Sequence, residues 1–304
     1  MIMKSSEINS SMITIPEIER RYKLSSNEFT KDYVEMGKPV IISGVIPSWN
    51  SFSQWSLKYL KQLSPSLNIY AKKFSDQGIE VCNLTMEKYI ELIENYEADS
   101  LNNPSPPYCH DLPLFSLIPS LIEDAQPFPL DYLPKWYWYK WWRYCQFFLG
   151  CSNSITPLHF DCLLTNNIFF QIVGRKQFTI LLPEDTKYCY RQGWRWFLVN
   201  PEKPDFNKYP EYKNARPIKF IVNPGDILYM PPGTLHHVRS LDMSISFNID
   251  WHTRKSSLNA LAASVKGMPI QNSYYNFLIT MGLVFKIPSP IIFKFYKSYL
   301  NYVS

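Results

Sequence analysis

The sequence predicts a mainly β protein whose strands close into a double-sheet jelly roll, with helices before and after it. Three observations predict this. Between residues 145 and 249 the apolar runs are short, rich in Val, Ile, Phe and Thr, and separated by turn residues, which marks strands rather than helices. Aromatic residues reach 16% and Pro stands at 24 against 10 Gly, a composition that favours sheets over long helices. At 304 residues and 46% hydrophobic content the chain can bury one sizeable core, and barrels of this size run as a single domain.

Residues 1–25 read as a polar lead-in with a short helix at 15–22. A helix is expected over 26–36, a buried strand over 38–44 ending at Gly44, a helix over 53–63 and a strand over 67–74. Residues 85–96 form an amphipathic helix with Thr85 as its cap. The Pro-rich stretch 101–133 reads as loops around one short helix at 117–123, and the aromatic run WYWYKWW at 136–142 reads as packing. Strands follow at 145–149, 158–163, 166–173, 176–182, 219–222, 227–230 and 243–249, with turns at Gly174-Arg175 and Pro224-Gly225-Asp226. This is the pattern of a jelly-roll or cupin barrel, a double-stranded β-helix. Helices are expected over 256–266, 273–283 and 291–302. The domain division is therefore a lead-in at 1–25, the barrel domain at 26–255 and a C-terminal helical extension at 256–304.

The net charge of +5 is scattered, so it permits an acidic partner without demanding one. None of the six cysteines forms a CxxC pair, which argues against a structural zinc site. The polar amino terminus lacks an apolar export segment, and residues 282–300 are too often interrupted by Lys and Pro to span a membrane. A cytoplasmic protein with reduced thiols is the expectation.

Five histidines occur, and His159, His236 and His237 fall in the β-rich centre. His159-Phe160-Asp161 is an HxD on a predicted strand, where residues i and i+2 share a face and can reach one ion. His236-His237 offers a third ligand. Two imidazoles and one carboxylate leave coordination positions open, the arrangement of non-haem Fe(II) oxygenases. Lys176 opens the next strand in register with Phe178 and Ile180, which points it inward, where a lysine calls for an anion. Asn167, Gln171 and Asn248 are amides on strands otherwise built for burial, and a ligand inside the barrel is one way to satisfy them.

The stretches SITPLHFDCLLTNNIFFQIVGRKQFTILLPED and NPGDILYMPPGTLHHVRSLDMSISFNIDW resemble the cupin-like hydroxylases of the JmjC type, among them the asparaginyl hydroxylase of hypoxia-inducible factor. The likeness runs over residues 30–255 and is tightest over 147–185 and 222–251. It implies Fe(II) held by His159, Asp161 and His236, the first histidine of PPGxxHHV. It implies that Lys176 and Thr156 bind the distal carboxylate of the cosubstrate 2-oxoglutarate, with Asn167 and Asn248 lining the pocket. Two departures stand out. Asp250 occupies a place where relatives often carry Trp, which would suit a basic substrate group or serve a local pair. The HxD-to-GxK spacing is also longer by two residues, through Leu163-Leu164-Thr165.

The resemblance implies oxidative decarboxylation of 2-oxoglutarate by O2, coupled to hydroxylation of an unactivated C–H, with no separate catalytic acid or base. An amino-acid side chain of a protein or peptide is the expected substrate. The alternatives are a tRNA-base hydroxylase, a small-molecule or natural-product hydroxylase, and a non-catalytic binding module. Loops within 101–135 and 186–217 and the run 136–142 are candidates for the substrate groove. The C-terminal helices either pack on their own barrel or pair two chains as a homodimer.

Overall fold

A computed structural model describes residues 17–75 and 78–295. In chain order the strands are β1 (Glu19–Tyr22), β2 (Val40–Ser43), β3 (Asn68–Ser75), β4 (Gly78–Thr85), β5 (Tyr108–Leu112), β6 (Cys145–Gly150), β7 (Ile155–His159) and β8 (Asn166–Val173). They continue with β9 (Lys176–Leu181), β10 (Arg191–Gln192), β11 (Trp196–Phe197), β12 (Ile218–Val222), β13 (Ile227–Met230), β14 (Leu235–Ser240) and β15 (Ser244–Trp251). One sheet runs β1-β2-β13-β8-β15-β6-β5-β3-β4 and a smaller one runs β10-β11-β7-β14-β9-β12. All pairings are antiparallel except β1 with β2. The two sheets make the jelly roll that the strand pattern predicts.

The period of two assigns the two faces of the large sheet. Phe147, Leu149, Phe170 and Phe247 point outward into the main core, built with Trp49, Trp55, Phe115 and the helices. Their neighbours Phe148 and Phe169 point inward and meet Phe178 and Ile180 of the small sheet. The polar inward positions, Gln146, Asn167, Ser246, Asn248 and Asp250, are all buried. The barrel interior is thus apolar at one part and polar at another, and the polar part forms the site.

Several expectations change. Residues 19–22 form an edge strand parallel to Val40–Ser43 rather than part of a helix, and residues 15–16 lie outside the described residues. The alternating burial of Glu-Arg-Arg-Tyr is the two-residue period of a strand. The expected helix 53–63 is two helices, Asn50–Gln54 and Leu57–Leu63, broken where Ser56 starts afresh by capping the N–H of Tyr59 at 3.1 Å. Strand β4 was not expected, because its side chains are mostly exposed and carry little apolar signal. Strand β5 was read as loop, yet all five of its residues are buried. Thr85 caps the helix Met86–Ala98 as expected.

The aromatic run is packing: Tyr137 and Trp141 join the core, and Trp136 donates to the Ile287 carbonyl at 2.7 Å. The helix Ile270–Val284 buries Tyr275, Leu278, Ile279 and Leu283 in the same core, while Tyr274 and Phe277 face out. The tail therefore packs on its own barrel along one face. The expected helix 291–302 is described only as far as the short turns Ser289–Ile292 and Phe293–Phe295; Tyr296 and Tyr299 lie outside the described residues. Among the described residues no helix is long and apolar enough to cross a membrane.

Gly174 makes the turn between β8 and β9 at φ +71, and a Cβ there would lie 2.1 Å from the Met243 carbonyl oxygen. Both the left-handed backbone and the backbone clash oppose a side chain. Gly174→Ala is expected to destabilise the fold by about 3 kcal/mol or more, read by chemical denaturation.

Candidate metal centre and cosubstrate pocket

His159 ends β7 and His236 lies directly opposite it on β14, so the antiparallel register sets the two imidazoles side by side, their ring centroids 4.1 Å apart. Strand β7 stops at His159, so Asp161 lies beyond it and not on it as the HxD reading expects. The chain nevertheless stays tied for one more residue, since Phe160 N–H donates to the Arg195 carbonyl at 3.2 Å. This brings Asp161 back to the pair: ligand atoms of His159, Asp161 and His236 all lie within 4.8 Å of one another. Asp161 Oδ1 is 3.8 Å from His236 Nε2.

The outer nitrogens of both rings are engaged. His159 Nδ1 lies 2.7 Å from the Pro157 carbonyl and His236 Nδ1 3.2 Å from that of Thr234. Each ring donates through Nδ1 to a carbonyl, so Nε2 is left with its lone pair toward the centre, the tautomer a metal needs. Burial, with His236 beside it, holds His159 well below the ordinary imidazole range, so it is neutral. His237 points to the other face of the strand and does not line the cavity. Asn167 Nδ2 donates to Asp161 Oδ2 at 3.1 Å and to Asp250 Oδ1 at 2.9 Å. Asn167 therefore orients the candidate carboxylate ligand as well as lining the pocket.

Deeper in the same cavity lies Lys176, 1% exposed. Its Nζ donates to Tyr108 Oη and to Ser246 Oγ, each at 2.8 Å, under the rings of Phe148 and Phe169. Among the described residues it forms no ion pair, and burial pushes its ammonium down to about 7. Thr156 and Asn248 line the cavity with it, and Asn248 Oδ1 is buried without a partner among the described residues. Gln171 is different. Its amide donates to the carbonyls of Val173 and Gly174 at 2.7 Å, so it braces the turn and stays out of the pocket. The residues fit the implied groups: a two-imidazole, one-carboxylate donor set suits Fe(II), and a buried cation between hydroxyls suits the carboxylate of 2-oxoglutarate.

Sequence reading missed Tyr108, His110 and Asp111, all on the unexpected strand β5, and Arg195. Asp111 forms a buried pair with Lys72 at 2.8 Å, and His110 Nδ1 is also 2.8 Å from the same oxygen. Burial pushes the Asp111 carboxyl up, but His110 and Lys72 outweigh it and hold the group well below the carboxylate range. Asp111→Asn would strand a buried ammonium, and a cost of about 3–5 kcal/mol is expected in urea unfolding. Asp250 is also buried, its Oδ2 facing the Gln146 amide at 3.4 Å; burial, then Asp161, push its carboxyl well above the ordinary range. The sequence leaves Asp250 open to a basic substrate group or to a local pair; in the fold its bonds are to Asn167 and Gln146.

A model of the cupin-like domain matches residues 26–257. Lysine-specific demethylase 8 of Danio rerio is 29% identical over 257 residues, covering 77% of this chain and 58% of that protein. JmjC domain-containing protein D of Dictyostelium discoideum is 29% identical over 258 residues, covering 73% and 53%. tRNA wybutosine-synthesizing protein 5 of Mus musculus is 24% identical over 259 residues, covering 77% of each. The chain thus spans little more than half the length of the first two relatives. With most of its barrel under the family model, the chain belongs to the cupin-like, JmjC-type family, whose members use Fe(II), 2-oxoglutarate and O2.

Proposed function

We propose that this domain is a 2-oxoglutarate-dependent hydroxylase that places one oxygen atom on an unactivated C–H of an amino-acid side chain in a protein or peptide. His159, Asp161 and His236 would hold Fe(II). Lys176, Tyr108, Ser246 and Thr156 would hold the far carboxylate of 2-oxoglutarate, with Asn248 offering its amide to the ligand. When bound, the iron and cosubstrate together supply the oxidising power for C–H cleavage. The protein's own part is to position and to exclude water. The two imidazoles would give the metal their Nε2 atoms, Asn167 fixes the carboxylate, and the phenylalanine walls keep the pocket dry.

The observation that carries this reading is Lys176, a buried cation with no carboxylate partner among the described residues, in the same cavity as an open donor triad. The test is a mass search over peptides with Fe(II), 2-oxoglutarate and air. Gain of one oxygen atom coupled to succinate release is expected. Turnover of a free metabolite with no peptide modified would overturn the peptide reading. Loss of a methylene unit from a methylated lysine peptide would instead match the activity for which the demethylase relatives are named.

A second reading, a tRNA-base hydroxylase, is favoured by one observation: the match to tRNA wybutosine-synthesizing protein 5 covers 77% of both chains. It predicts RNA binding whose affinity falls steeply with salt. A homodimer through the C-terminal helices stays a proposal, for which exposed Tyr274, Phe277 and Phe285 offer an apolar face; sedimentation at several concentrations tests it.

A further inference from the structure

Every carboxylate lining the cavity is engaged. Asp250 accepts from Asn167 at 2.9 Å and faces Gln146, and Asp111 is bonded to Lys72 at 2.8 Å. Asp161 belongs to the metal triad and accepts from Asn167 at 3.1 Å. The cations tell a different story. Lys176 is accounted for by the cosubstrate. Arg195 is not. It lines the same cavity and is 8% exposed, yet its guanidinium has no hydrogen bond and no ion pair among the described residues. Its Cζ lies 4.5 Å from the ring of Trp196, and it acts through space on the cavity carboxylates Asp111 and Asp250 without bonding to either. A guanidinium has five donors and is the side chain best matched to a planar carboxylate, so leaving those donors buried without an acceptor is costly unless a ligand completes them.

Its position is fixed by the fold. Arg195 sits in the tight turn joining β10 to β11, and its carbonyl accepts from Phe160, the residue between His159 and Asp161. Trp196 pairs with His159 in register and packs its ring 5.0 Å from the imidazole. Trp194, one residue before, ties the turn to the loop after Asp161 by donating to the Cys162 carbonyl at 2.7 Å. The turn is thus built onto the metal triad, and a group gripped by Arg195 is held beside the reacting centre.

We propose that Arg195 is a specificity-determining residue that binds an anionic substrate group, so that the residue hydroxylated is an acidic one, carrying its carboxylate close to the C–H that reacts. This rests on the peptide-hydroxylase reading above and names its substrate class. The balance is R–H + O2 + 2-oxoglutarate → R–OH + succinate + CO2. One oxygen atom enters the C–H bond and the other enters succinate, and Arg195 takes no part in electron transfer.

Two measurements test it on the full chain. In the first, protein loaded with Mn(II) and 2-oxoglutarate without oxygen is mixed with the N-acetyl amides of Asp, Glu, Asn, Lys and Arg, and metal-induced NMR relaxation of each is compared. In the second, Fe(II)-loaded protein is given short peptides with those residues at the centre, along with simple free carboxylic acids. The acidic probes should be favoured at least tenfold over Asn, Lys and Arg. Arg195→Gln should erase that preference and Arg195→Lys should retain part of it, a rescue that a purely structural role would not give. Preference for the basic probes, equal relaxation by all, or unchanged selectivity in Arg195→Gln would overturn the proposal. Arg195-dependent relaxation by the acidic probes, with only free acids oxidised, would keep Arg195 in this role and remove the peptide reading instead.

Discussion

His159→Ala is expected to leave a folded protein that no longer holds metal and turns over 2-oxoglutarate at least about 100-fold more slowly, since even outer partners of metal ligands cost ~10–100-fold. The facial set of non-haem Fe(II) oxygenases has three protein donors, and His236 and Asp161 alone would hold the ion more weakly. The readout need not be activity. A ligand that binds only the folded state stabilises it by about 2.7 kcal/mol at one hundred times its dissociation constant. Added Mn(II) should therefore raise the melting temperature of the parent protein by several degrees and leave that of His159→Ala unmoved. An equal rise in both would sink the ligand assignment. His237→Ala is the control, because His237 lies on the opposite face of β14 and should keep the full metal response.

The second large effect is at Lys176. Lys176→Met should weaken 2-oxoglutarate at least ~100-fold, because truncating one partner of a buried charge pair costs about 2–5 kcal/mol. The same change should stabilise the ligand-free protein near neutral pH, since it removes a buried ammonium that lacks an anion. The pH dependence follows from the direction of the shift. Burial takes Lys176 from its ordinary 10.5 down to about 7. Between those values the unfolded chain carries a proton that the folded chain lacks, so ligand-free stability rises with pH across that window, and the penalty is full below it. A bound carboxylate favours the charged form and reverses the preference. Affinity for 2-oxoglutarate should therefore fall on the order of tenfold between about pH 7 and about pH 8.5, and this slope should vanish in Lys176→Met. Calorimetric titration of Mn(II)-loaded protein without oxygen checks both. A flat pH profile in the parent protein would show that Lys176 does not carry the cosubstrate charge.

The sequence by itself determined the central barrel, because a two-residue period with turn residues between short runs leaves little choice of fold. It also marked His159, Asp161, His236 and Lys176, because a charged or metal-binding side chain among apolar strand positions is a visible anomaly. The inward direction of Lys176 followed from the same period, as its register with Phe178 and Ile180 shows. The route by which Asp161 reaches the triad did not: the strand ends at His159, and a hydrogen bond from Phe160 to a turn far along the chain completes the geometry. Strand β5 was hidden by the prolines around it, and with it Tyr108, His110 and Asp111. Arg195 was hidden because a basic residue in a polar turn looks like any solvated arginine. Only the tertiary structure shows that the turn folds onto β7 and buries it. The same holds for Asp250, for which the sequence leaves a basic substrate group and a local pair both open while the fold gives it Asn167 and Gln146 as partners. Local patterning fixes which face a side chain takes, but burial and partnership are long-range. They are set when two sheets close on each other, and that closure gathered three candidate ligands and two buried cations, Lys176 and Arg195, around one cavity.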